Sequence, residues 1–114
     1  MNFKETLEFQ KDLKRLQRKY LSLNDNLDEF KKILTTFPTG AGKHFAVLYT
    51  TNNIKIMKAR FFCRYLKGAT LRVVYAYHEN TQEIEFIEFI ELYFKGEQTR
   101  ESHRRIQDYI KTFR

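Results

Sequence analysis

Residues 71–96 read LRVVYAYHENTQEIEFIEFIELYFKG, and the periodicity of this stretch decides the fold. Leu71–His78 is dense in β-branched and aromatic residues, which fit a pleated, half-buried surface. Glu79–Gln82 is polar and supplies a turn. Glu83–Phe94 admits two readings. Its acids at 85, 88 and 91 recur every three residues, as on a helix, whereas its Ile and Phe density favours a strand. We take it as a strand. Apolar residues then fall on both faces, with Ile84, Phe86, Ile90 and Leu92 on one and Ile87 and Phe89 on the other. A strand apolar on both faces belongs in the middle of a sheet.

Working outward, Phe45–Thr50 and Ile54–Phe62 alternate with period two around a Thr51-Asn52-Asn53 turn. Lys67-Gly68-Ala69 is a second turn, and Thr39–Lys43 is a loop. Upstream the period changes. Phe9, Leu13, Leu16 and Tyr20 form one stripe of a helix whose other face carries Lys11, Lys14, Arg15, Arg18 and Lys19. Asn24 or Asp25 can cap a second helix, with Leu27, Phe30, Leu34 and Phe37 as its stripe and Pro38 and Gly40 at its end. A short strand around Asn2–Lys4 can precede both. A third helix runs from Thr99, with Ile106, Tyr109, Ile110 and Phe113 on its apolar side. The expected fold is α+β: two N-terminal helices packed on a twisted, mainly antiparallel sheet of about four strands, plus a C-terminal helix. All 114 residues form one domain, and the second face of the sheet stays partly open.

The net charge is +7, and Ala41–Asn80 holds nearly all of the excess, with seven cations against the single acid Glu79. Lys58 and Arg60 alternate with apolar neighbours, so both project from one face of a strand. A sheet face given to cations suits a polyanion, RNA first. One cysteine, Cys63, excludes an internal disulfide. The first residues lack the apolar run of a signal peptide, and no apolar stretch is long enough to span a bilayer, so a cytoplasmic protein is expected, with no membrane partner.

If the strands carrying Lys58 and Arg60, Arg72, and Lys95 are neighbours, four cations converge. Single-stranded RNA needs cations for phosphates and rings for bases; Phe62, Tyr65, Tyr75, Tyr77 and Tyr93 supply rings, and His44 and Arg64 can join from the flanks. Cleavage by the 2′-hydroxyl needs a base, an acid and charge to stabilise the phosphorane, and Lys, Arg and Tyr can provide these without metal or other cofactor. The competing readings are structural. Lys58 and Arg60 can pair across the sheet with Glu85, Glu88 or Glu91, and Lys55 and Lys67 can be edge charges. His44, His78 and His103 lie far apart, without metal-ligand spacing, and read as loop, turn and helix-surface residues. Gly40-Ala41-Gly42-Lys43-His44 lacks the full phosphate-loop pattern, and Cys63 reads as a small core residue.

Three segments taken in order resemble the RelE/ParE superfamily of toxin–antitoxin systems. FKETLEFQKDLKRLQRKY is similar to the family's opening strand and lysine-rich helix, KIMKARF to its basic strand, and LRVVYAYHENTQEIEFIEFIELYFKG to its arginine strand, turn, apolar strand and terminal basic residue. The resemblance implies a microbial-ribonuclease-like fold and, for the RelE branch, a toxin that cuts mRNA in the ribosomal A site. Lys58, Arg60, Arg72 and Lys95 would bind phosphate and stabilise the transition state. The family's C-terminal Tyr or His has three candidate counterparts here, Tyr93, Tyr109 and His103, because the chain departs from the pattern after Lys95. The implied partners are mRNA, the ribosome and an acidic, partly disordered antitoxin. The ParE branch, a non-enzymatic inhibitor of DNA gyrase, is the alternative, as is an RNA-binding member whose catalysis has decayed.

Overall fold

A computed structural model of the chain describes residues 1–40, 42–61, 71–79 and 85–113. The elements run β1 (Asn2–Glu5), α1 (Leu7–Gln17), α2 (Leu23–Thr36), β2 (Phe45–Thr51), β3 (Ile54–Phe61), β4 (Leu71–His78), β5 (Phe86–Phe94) and α3 (His103–Thr112). The fold is α+β. Its sheet has five strands in the order β1-β5-β4-β3-β2. It is mixed, because β1 pairs parallel with β5 while the other neighbours are antiparallel. Three of the four pairings are antiparallel, as expected, and the count of about four strands is corrected to five: four N-terminal residues suffice to extend the sheet beyond β5. The strand in the middle is β4, and β5 lies beside it.

The first face of the sheet is covered by α1 and α2. Phe9, Leu16, Leu27, Phe30 and Leu34 pack onto Met57, Val73, Tyr75, Ile87 and Phe89. Thr6 caps α1 by accepting from the Phe9 amide (3.1 Å), and its hydroxyl also donates to the Ile90 carbonyl (3.3 Å). Helix α1 stops at Gln17, short of Tyr20, and α2 is capped at Ser22 rather than Asn24 or Asp25. Gly40 has φ of +71°, and a Cβ there would strike the Phe45 ring, so the loop into β2 requires glycine.

The second face is divided. Over one half lies α3, which begins at His103 with Ser102 as its cap, later than the expected Thr99. Its Ile106, Tyr109 and Ile110 pack on Ile54, Ile56, Val74, Ala76 and Ile90. The expected open face is therefore half closed. A β-bulge between the pairs Val74↔Glu91 and Tyr75↔Phe89 leaves Ile90 as an extra residue in β5. Strict alternation fails there: Leu92 joins Ile87 and Phe89 on the first face, while Ile90 and Tyr93 face α3.

The β1 pairing ends at Phe89, and beyond it side chains hold the outer side of β5 among the described residues. Asp12 accepts from the Leu92 amide (3.1 Å) and holds Arg105 of α3 through both oxygens (2.5 and 3.1 Å). This bolt ties the helices of opposite faces across the sheet edge. Among the described residues, no helix is long and apolar enough to cross a membrane.

Candidate nucleic-acid interface

The alternation of β3 that buries Met57 and Ala59 on the first face turns Lys58 and Arg60 to the second. The register then decides their neighbours. Arg60 lies directly across from Arg72 of β4, and Arg72 directly across from Tyr93 of β5. On the other side the Arg60 amide donates to the His44 carbonyl (3.0 Å), which brings the loop before β2 alongside. One lateral row thus runs His44, Arg60, Arg72, Tyr93. The next row holds Lys58, Val74 and Glu91.

Two guanidinium-bearing residues in directly opposed positions repel and weaken a sheet. The local field is visible in Arg72, which is only 9% exposed: burial, then the charge of Arg60, lowers its pKa from the ordinary value. A hollow of about 210 Å³ opens beside this pair, lined by Lys43, His44, Lys58, Arg60, Arg72 and Lys95 among others. Four of the expected cations therefore meet, joined by Lys43. Among the described residues, Lys43, Arg60 and Lys95 have no carboxylate in ion-pair range, whereas Lys58 pairs with Glu101 at 3.1 Å.

Tyr93, across from Arg72, is buried in the cluster under α3. It is 3% exposed and pushed up to about 12 by burial and by the charges of Glu101 and Glu91. It stays protonated at neutral pH. Glu101 is pulled the other way. Burial opposes its charge, but its own backbone amide and Lys58 outweigh that and hold the carboxyl below its usual value.

Other expected site residues lie elsewhere. Tyr75 is fully buried on the first face, where its hydroxyl donates to the Pro38 carbonyl (2.9 Å). Tyr77 is on the same side, its hydroxyl bonded to Glu85 (2.5 Å). Neither can stack a base in the hollow, because period two sends both away from Arg72. Arg64, Phe62, Tyr65, Cys63 and Lys67 lie outside the described residues, as do Glu83 and Ile84. The cross-sheet pairing of Lys58 with Glu85, Glu88 or Glu91 is replaced by the pair with Glu101. Glu88 instead accepts from Tyr109 (2.8 Å), and Glu91 from Gln98 (2.8 Å) and the Ser102 amide (2.7 Å).

His78, read as a turn residue, is buried: it stacks on Phe86 (ring centroids 4.0 Å) and its Nε2 lies 2.6 Å from the Tyr109 hydroxyl. Burial, then the charge of Lys4, lowers it to about 4. His103 is on the exposed face of α3. Among the described residues, no three His, Cys, Asp or Glu side chains gather as metal ligands.

Sequence reasoning missed Glu101. It belongs to no motif and meets Lys58 from 43 positions away. The cross-strand Arg60–Arg72 pair was within reach of the sequence, since it follows once β3 and β4 are paired in register. Comparison with protein-family models, with characterised proteins and with solved structures returns no match.

Proposed function

We propose that this chain is a RelE-like toxin: a metal-independent endoribonuclease that cuts ribosome-bound mRNA in the cytoplasm and is restrained by an acidic antitoxin. The observation that carries the reading is the opposed pair Arg60 and Arg72 beside a hollow that also receives Lys43, Lys58 and Lys95. A bound phosphate offsets the repulsion between the two arginines and gives five cations one shared counter-ion. In the reaction, the 2′-oxygen attacks the adjacent phosphorus and the 5′-oxygen leaves. The cluster stabilises the charge that grows on the non-bridging oxygens. The similarity of the three segments to the RelE/ParE superfamily supports the same reading, and it alone suggests the ribosome and the antitoxin.

A second reading, RNA binding without turnover, is favoured by the burial of Tyr93, which leaves no open ring in the row beside Arg72. Controlled expression separates the two. The enzyme slows growth and leaves mRNA with new 5′-hydroxyl ends, and charge removal at Arg60 and Arg72 abolishes both effects. A folded wild type that binds RNA but produces no new ends supports the second reading. DNA damage without mRNA cutting points to gyrase.

A further inference from the structure

A hollow of cations can hold a phosphate, but it needs a group to take the proton from the attacking hydroxyl. Among the described residues, every charged residue lining the hollow is a cation. Behind one of them, Lys58, stands the carboxylate of Glu101 at 3.1 Å, and the fold holds it firmly. The segment after β5 turns back over the second face and is tied down by Glu91, which is 2% exposed. Glu91 accepts from Gln98 on one side of Glu101 and from the Ser102 amide on the other. Ser102 then caps α3. Glu101 is left between the Lys58 ammonium and the buried Tyr93 phenol, with its side chain 19% exposed and so in reach of a substrate.

Resting on the ribonuclease reading above, we propose that Glu101 is the general base of this site, accepting the 2′-hydroxyl proton while Lys58 and the paired arginines hold the phosphate. In the step, the 2′-oxygen gives its proton to a Glu101 oxygen and forms a bond to phosphorus. The bond from phosphorus to the 5′-oxygen breaks, that oxygen takes a proton from water, and the resulting hydroxide recovers the proton held by Glu101 to restore the water and the carboxylate. The products are a 2′,3′-cyclic phosphate and a 5′-hydroxyl, so no oxidant, metal or further reactant enters. A carboxylate ionised at neutral pH is present in full as a base, and its ion pair with Lys58 at 3.1 Å holds it beside the cations.

The test compares wild type, Glu101→Gln and Glu101→Asp on an oligoribonucleotide, both free and presented on translating ribosomes. An analogue with a 2′-deoxy group at the cut position measures binding. E101Q should cut about 10²–10⁴-fold more slowly. It should bind the analogue at least as tightly as wild type and lose the acidic limb of the kcat/KM profile. E101D should keep that limb at reduced rate, and it serves as the deciding variant if thermal melting shows E101Q misfolded; an E101D profile equal to wild type in rate and limb overturns the proposal. So does E101Q cutting within a few-fold of wild type with the same pH profile, or cutting faster, which makes Glu101 a mere occupant of Lys58. A wild type that cuts RNA in neither presentation removes the ribonuclease reading and the base with it. A wild type that cuts beside an equally active E101Q removes the base alone.

Discussion

The two halves of the second sheet face are built from the same strands, yet they are opposites. At one end Ile54, Ile56, Val74 and Ala76 are sealed by Ile106, Tyr109 and Ile110 of α3. At the other, the same strands carry Lys58, Arg60 and Arg72 into an open hollow. The first half lowers free energy by removing apolar area from water. The second raises it by opposing like charges across the strand pair.

That contrast can be broken from either end. The largest effect is expected from the basic half. Arg60→Ala should lower the rate of RNA cleavage by about 10²–10³-fold, the usual loss when one transition-state charge partner is removed. Because Arg60 is exposed and repelled by Arg72, the Tm should stay level or rise. A variant that loses activity in step with its Tm would place Arg60 in the architecture instead.

The apolar half should behave in reverse. Ile106→Ala removes a side chain that is 4% exposed and should cost about 2–4 kcal/mol in denaturant unfolding. Any loss of cleavage should then follow the folded fraction alone. A cost below about 0.5 kcal/mol, the range of a surface change, would mean that α3 is only lightly docked.

A smaller, pH-dependent effect sharpens the same boundary. His78 is held near 4 in the fold against 6.5 for an ordinary histidine, so the unfolded chain binds its proton first as pH falls. The stabilisation is complete above pH 6.5 and is lost between 6.5 and 4, about 2–3 kcal/mol in all. His78→Gln should flatten urea-unfolding stability across that window. An equally steep dependence in the variant would assign it to other groups.

What the sequence made legible follows from what is local. Period two in β3 put Lys58 and Arg60 on one face, and period 3.6 found the buried Phe9, Leu16, Leu27, Phe30 and Leu34. Two kinds of information were out of reach. One was parity past a bulge: the extra residue Ile90 moved Leu92 to the face opposite the one that alternation assigns. The other was the side of the sheet taken by the C-terminal helix, because the turn after Phe94 is compatible with either. That choice closed half of the expected open face and carried Glu101 to Lys58. The tyrosines show the same limit. Tyr75 and Tyr93 look alike as candidate rings, but strand parity sends Tyr75 into the core, and only Tyr93 joins the arginines.

The claim that these cations act together on one polyanion is tested most directly by the salt dependence of binding to a single-stranded, uncleavable oligonucleotide. For wild type, log K should fall linearly with log salt concentration, and Arg60→Ala should make the slope shallower by about 0.7, the share of one phosphate contact on a single strand. An affinity and slope that Arg60→Ala and Lys95→Ala leave unchanged would contradict it.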